Sequence, residues 1–256
     1  MTTIHPTAIV DPRAEIGDHG EIGPYSVIEG DVVVGEGCTV GPHVYIANGA
    51  RIGNQVAIHK GAVVATLPQD LKFGGEKTLF EIGDHTVVRE FCTLNRGTAA
   101  HGKSRVGSNC LLMAYAHVAH DCTVGDHVIL ANAVQIGGHV TIEDWAILGG
   151  MAAVHQFVHV GQHSMIGGTF RAIKDVPPYI LASGEPLRYS GLNSVGLRRR
   201  GFQSETLSTL KKVYRLLYRS QLNVSQAVER IRQELEITEP VQNILTFIEN
   251  ADRGII

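Results

Sequence analysis

The stretch Ala116 to His127, AHVAHDCTVGDH, places three histidines, two aspartates and a cysteine within twelve residues on a background of Val, Ala and Gly. Imidazole beside carboxylate suits proton transfer near neutral pH, and the same groups can hold a metal ion. A third reading is the polar skin of a regular scaffold. Which of the three applies depends on where each side chain points, and that is set by the elements that carry the stretch.

Those elements are repeats of six. From Ile4 to Ile166 the chain offers 28 positions in steps of six, of which 25 are aliphatic; only Asp70, Glu76 and Ala100 are not. Self-similarity at a fixed short period marks a solenoid. A hexad is too short for a helix and its connection, so one inward aliphatic per hexad reads as a short flat strand plus a corner. Three such sides close an eighteen-residue coil, stacked on the next at about 4.8 Å. Glycine often follows the aliphatic residue, as at Gly107, Gly125 and Gly149, which is expected where the backbone turns. A small or β-branched residue sits two places before it. All four cysteines, Cys38, Cys92, Cys110 and Cys122, occupy that slot and read as inward fillers.

Residues eighteen apart then stack. His120, Gly138 and Gln156 form one column, Ala119, Gly137 and His155 the next, and Asp121 lies beneath His139. His120, two places past the inward Val118, should face outward, where an imidazole can act as general base, typically worth about 10²–10⁴-fold. Gly138 presents a backbone N–H with no side chain in the way, which suits an oxyanion donor worth about 10²–10³-fold. Adjacent residues on a flat strand point oppositely, which would separate Asp121 from His120. His85, His127 and His163 fall in turns without a partner column.

Two interruptions, Thr66 to Phe80 and Arg96 to Arg105, carry charge and glycine and resume the same phase, so they are expected as extruded loops on a rigid scaffold. After Ile173 the hexads stop. Leu207, Leu210, Val213, Leu216 and Leu217 fall on one helical face with Ser204 as N-cap. Val228, Ile231 and Leu235 indicate a second helix, and Val241, Ile244, Leu245 and Ile248 a third begun by Pro240. The expected organisation is a β-helix over residues 1–184 and a small α-helical domain over 185–256 able to cap the array. The formal charge of -3 gives no reason to expect nucleic acid. Residues 187–256 hold 11 Lys/Arg against 7 Asp/Glu, which suits an anionic ligand or an acidic partner. The absence of a basic-then-apolar N-terminus or any eighteen-residue apolar run, with no CxxC pairing, leads to the expectation of a soluble cytoplasmic protein without a transmembrane segment.

The hexads resemble those of the hexapeptide-repeat acyltransferases, whose scaffold is a left-handed parallel β-helix; the handedness is implied by that resemblance. Within the group, the whole chain is similar to the UDP-N-acetylglucosamine O-acyltransferases of lipid A biosynthesis. The motifs that carry this are HPTAIVDP near the start, PQDLKF in the first interruption, AHVAHDCTVGDH, GGHVTIEDWAILGG, VHQF, DVPPY, LRRRGF and Arg253-Gly254. The resemblance implies that a homotrimer, with no cofactor, moves a 3-hydroxyacyl chain from acyl carrier protein to the sugar 3-position of UDP-N-acetylglucosamine, with the basic end attracting the carrier protein. It further implies that His120 is the general base supported by Asp121, that Gly138 supplies the oxyanion N–H, and that His117, His139, His155 and Gln156 line the site. Asp70 and Lys72 would contact the nucleotide sugar, and Asn193, Arg199 and Arg200 the uridine diphosphate. Gly168, stacked on Gly150, would leave the acyl groove open to a long chain.

Asn95 and Val195 stand where many relatives carry histidine and glutamate, a pattern compatible with members that acylate the 3-amino analogue of the sugar. A related N-acyltransferase group carries an extra N-terminal domain, for which hexads beginning at Ile4 leave no room. The γ-class carbonic anhydrases share the scaffold and bind zinc through a His-x4-His pair. Here His117 meets Cys122 at that spacing and His155 meets Val160, so no metal is expected. A non-catalytic hexapeptide scaffold remains the other alternative, opposed by the His120–Gly138–Gln156 column and the Arg198 to Arg200 run.

Overall fold

The computed structural model describes residues 1–256 and folds the hexads into a left-handed parallel β-helix. Most rungs are two-residue strands, such as His117–Val118 and Ile129–Leu130, whose second residue is buried and whose first faces outward. The first face begins at Thr3–Ile4, the second at Ile9–Val10 and the third at Glu15–Ile16, with 11, 9 and 8 strands. Eighteen-residue register holds through the middle of the stack, where Val118 pairs with Ile136, Val124 with Ile142 and Leu130 with Leu148. The hexad aliphatics and the small residues before them form the core, and all four cysteines are buried and free. Burial pushes the Cys122 thiol up to about 12, so it stays protonated at neutral pH.

The glycines that follow the aliphatic positions do not provide the left-handed backbone of the corners. That conformation falls two residues later, on side-chain-bearing residues such as Asp121 (φ 58), His139 (φ 61) and Phe157 (φ 65). The glycines serve close approach between coils instead: a Cβ on Gly107 would lie 2.3 Å from Asp126 Oδ1 and 2.5 Å from the Gly125 carbonyl oxygen.

Both interruptions leave the stack at the edge where the second face turns into the third. Val64 pairs with Leu94 and Leu94 with Val118, thirty and twenty-four residues on in place of eighteen. The excursions are shorter than the sequence suggests. Strands Leu79–Ile82 and Lys103–Val106 begin early because Phe80 and Ser104 already fill inward positions, which leaves residues 67–78 and 96–102 as the loops proper.

Beyond Ile173 the sequence reading misses two elements. Ile180–Ser183 adds a parallel rung to the first face, and Arg188–Leu192 pairs back on it antiparallel; neither carries the hexad period. Helix α1 (Ser194–Arg199) is too short to show helical periodicity, and its cap is Asn193, whose side chain accepts from the Gly196 N–H. The three helices expected from the pattern are α2 (Ser204–Arg219), α3 (Val224–Glu234) and α4 (Glu239–Glu249), the last with Pro240 in its first turn. Ser204 is the first residue of α2 rather than its cap; Gln203 holds the cap position without a side-chain hydrogen bond. The chain end returns to the stack through Asp175, which donates from its N–H to the Gly254 carbonyl and accepts from the Ile256 N–H.

Candidate active site

His120 sits on the edge between the second and third faces, and its Nδ1 lies 2.8 Å from Asp121 Oδ2. The two neighbours meet, contrary to strand alternation, because Asp121 occupies the corner with a positive φ and turns back toward His120. The Asp121 carboxylate is fully buried and accepts from the Thr98 N–H at 2.9 Å and the Thr98 hydroxyl at 2.7 Å. Burial alone would push this carboxyl up, but hydrogen bonds from His120 and Thr98 outweigh it and hold the group below its ordinary value. Asp121 therefore stays anionic, fixes the imidazole and can stabilise a proton taken up by it. His120 itself is 13% exposed, enough for its far nitrogen to face a ligand.

One rung up, Gly138 lies against the imidazole: a Cβ there would fall 2.7 Å from His120 Cε1 and 2.8 Å from Nε2. Its N–H donates no hydrogen bond, although the residue is buried. The edge between the third and first faces behaves differently. There the equivalent N–H groups of Glu36, Asn54, Ser108 and Asp126 are taken by the side chains of Asn54, Asp84, Asp126 and Asp144. A free donor beside a positioned imidazole suits an oxyanion.

Other histidines converge on the same edge. His139 stands edge-on to His120 at 5.1 Å and stacks on Phe157 at 4.6 Å. Its Nε2 lies 3.8 Å from Asp121 Oδ2, and burial is the main cause holding its pKa down. His117 faces outward from the second face with Nδ1 2.7 Å from the Thr93 hydroxyl, and burial likewise lowers it. His155 and Gln156 are exposed one rung above Gly138. From the first loop, Asp70 comes close enough to His139 to favour its charged form, while Lys72 is exposed with its N–H on Asp70 Oδ1. Asn95 does not reach the site; its amide donates to Thr66 Oγ1 and the Leu67 carbonyl and pins the base of that loop.

Asn193, Arg199 and Arg200 lie elsewhere in the chain. Asn193 caps α1 and donates to the His163 carbonyl, and Arg200 contacts His163 Nδ1 at 3.2 Å and lies over the Trp145 ring at 5.1 Å. These contacts belong to the edge between the third and first faces, one face away from His120. Arg199 is exposed beside them. His127 and His163, expected to stand alone, are part of a ring stack with Trp145 and Tyr179, at centroid distances of 3.9, 6.0 and 5.6 Å. Gly168 lies over Gly150 on the remaining edge, its would-be Cβ 3.0 Å from the Gly150 carbonyl oxygen.

Thr98 and His101 are the residues that sequence reasoning missed. The Nδ1 of His101 is 3.2 Å from the Asp121 carbonyl, and its ring stands edge-on to His139 at 5.3 Å. Both sit in the second loop, where eighteen-residue arithmetic no longer locates a partner. Phe157 was legible, eighteen residues after His139. The absence of a His-x4-His pair does not keep ligands apart either, since stacking brings donor atoms of His120, Asp121 and His139 within 4.8 Å of one another.

A family profile described as Udp N-acetylglucosamine O-acyltransferase, domain 2, matches residues 175–256, and bacterial transferase hexapeptide repeats match 15–48 and 103–138. Curated relatives named acyl-[acyl-carrier-protein]–UDP-N-acetylglucosamine O-acyltransferase include that of Chlorobaculum parvum, 52% identical over 255 residues, covering 99% of this chain and 97% of the relative. The protein of that name from Thiobacillus denitrificans is 47% identical over 257 residues, covering 100% of both chains. Among solved structures, LpxA of Bacteroides fragilis, a UDP-N-acetylglucosamine acyltransferase, superposes with a TM-score of 0.97 at 43% identity over 98% of this chain and 99% of that one. LpxA of Acinetobacter baumannii gives 0.95 at 42% identity over 99% of each.

Proposed function

The chain belongs to the acyl-[acyl-carrier-protein]–UDP-N-acetylglucosamine O-acyltransferase family, and on that premise we propose that it moves a 3-hydroxyacyl group from acyl carrier protein to the 3-hydroxyl of UDP-N-acetylglucosamine, the first step of lipid A biosynthesis. His120 Nε2 takes the proton of the sugar hydroxyl as its oxygen attacks the thioester carbonyl. Asp121 stabilises the imidazolium, and the Gly138 N–H donates to the oxyanion. Collapse of the intermediate breaks the C–S bond, and the proton held on His120 passes to the leaving thiolate. The observation that carries this reading is the His120–Asp121 pair set against the unpaired Gly138 N–H.

His117, His139, His155 and Gln156 border the reacting centre, with Asp70 and Lys72 reaching it from the first loop to hold the sugar. Asn193, Arg199 and Arg200 supply a basic, partly capped end for the diphosphate. Since one chain holds them a face away from His120, this role requires a second copy of the chain, and a homotrimer answers it. Outward residues Val87, Leu111, Ile129, Ile147 and Met165 make the first face an apolar stripe that supports such contact. The four free thiols fit a reducing compartment, and the reading places the reaction in the cytoplasm. No helix is long and apolar enough to cross a membrane.

The test is an acyl-transfer assay with 3-hydroxyacyl carrier proteins of several chain lengths and UDP-N-acetylglucosamine beside its 3-amino analogue. The second acceptor is included because Val195, 61% exposed next to the Asn193 cap, offers no carboxylate to the nucleotide sugar. His120→Ala is expected to abolish turnover with either acceptor while the chain stays folded; a folded variant with near-normal turnover overturns the mechanism.

A further inference from the structure

The side chains that build the dyad also form a triangle of donors. His120 Nδ1 to Asp121 Oδ2 is 2.8 Å, Asp121 Oδ2 to His139 Nε2 is 3.8 Å, and one ligand atom from each of the three residues lies within 4.8 Å of the other two. With those sides a point lies roughly 2.4 Å from all three corners, against about 2.0–2.2 Å in zinc sites, so shifts of a few tenths of an ångström would seat an ion. Two imidazoles and a carboxylate are a donor set that zinc and its neighbours favour, and the histidines, 13% and 16% exposed, leave a fourth position within reach of solvent.

The surroundings hold these donors in a competent state. Thr98 orients the carboxylate, and Phe157 and His101 fix the plane of His139 from two sides. No other group of three or more His, Cys, Asp or Glu residues in the chain comes together in this way.

We propose that His120, Asp121 and His139 bind a zinc-class divalent ion that switches acyl transfer off. The ion takes the place of the proton on His120 Nδ1, and that proton moves to Nε2, so the ring binds as the neutral imidazole of the other tautomer. With Nδ1 bound to the metal, Nε2 carries the ring proton and has no lone pair for the sugar hydroxyl, and the Asp121 charge is committed to the ion instead of to an imidazolium. The inhibitory consequence rests on the function proposed above; the binding does not.

The experiment titrates tag-free, chelator-treated full-length chain with Co²⁺ and reads its visible absorption. One ion per chain is expected, displaced by Zn²⁺, with affinity lowered at least about tenfold in both His139→Gln and His120→Gln and weakening as pH falls. Circular dichroism establishes that each variant is folded, and two variants guard against one that is not. In the transfer assay, added Zn²⁺ stops turnover and chelation restores it. Absence of a Co²⁺ band, or equal affinity in wild type and both folded variants, overturns the site. A bound ion that leaves turnover unchanged overturns the switch. Metal-free protein that transfers no acyl group would instead overturn the proposed function, with the absorption titration still deciding whether the ion binds.

Discussion

Replacing Asp121 with Asn tests the dyad with the smallest change of shape. The carboxylate accepts from the Thr98 N–H, the Thr98 hydroxyl and His120 Nδ1 at 2.9, 2.7 and 2.8 Å. An amide has one acceptor oxygen, and the Thr98 N–H, fixed in the backbone, claims it. The amide NH₂ then occupies the place of Oδ2 and faces the other two groups. The Thr98 hydroxyl can rotate to accept from it, but His120 can do so only by baring Nδ1 and moving its proton to Nε2. In that tautomer the nitrogen beside Gly138 has no lone pair for the substrate. Recovering the active tautomer means losing a hydrogen bond and setting N–H against N–H, about 3–5 kcal/mol, or roughly 10²–10⁴ in kcat. Every buried polar group keeps a partner in the resting state, so stability should change by about 1 kcal/mol or less. Steady-state kinetics is expected to show kcat reduced by that factor with KM for the nucleotide sugar within about threefold. Combining the change with His120→Ala should cost little beyond His120→Ala alone, since the two act as a unit. A folded Asp121→Asn enzyme with kcat within about tenfold of wild type refutes the reasoning.

Gly138→Ala introduces no backbone strain but puts a methyl 2.7 Å from His120 Cε1, so the imidazole must leave its place; a kcat loss of about 10²-fold in a folded protein is expected, and wild-type kinetics would count against the site. Gly168→Met fills the edge above Gly150, where a Cβ already lies 3.0 Å from the carbonyl oxygen, and should move donor preference to shorter 3-hydroxyacyl chains; an unchanged chain-length profile sinks that assignment. His163 is held down to about 4 from 6.5 by burial and then by Arg200. The unfolded chain therefore binds the extra proton between pH 6.5 and about 4, and stability falls as pH drops through that window, by up to about 3 kcal/mol. His163→Phe keeps a ring between Trp145 and Tyr179 and should flatten this slope in urea unfolding across pH 7 to 4, whereas a slope equal to wild type refutes the contribution.

The coil was legible because its rule is local: one inward aliphatic every six residues fixes the strands, and eighteen-residue stacking then puts Gly138 over His120 and Phe157 over His139. The rule fails where the backbone leaves strand geometry. Asp121 is misdirected by alternation because that rule says nothing about a left-handed corner, whereas the His127–Trp145–His163 stack, its members eighteen residues apart, was open to the same stacking arithmetic. Thr98 and His101 reach Asp121 from an excursion whose path no period encodes. Helix α1 escaped because six residues are under two turns, while α2 to α4 show their apolar faces over eleven residues or more. The separation of Arg200 from His120 was invisible in principle, since position along the chain does not say which edge a terminal segment docks against.

Thr98 and His120 share one carboxylate, so the order of residues 96–102 and the readiness of the base are a single quantity. A small molecule that drew this loop off the edge would disarm the imidazole without taking the place of either substrate. Such an inhibitor would be noncompetitive toward sugar nucleotide and carrier protein alike, and accumulation of either substrate in a poisoned cell could not displace it.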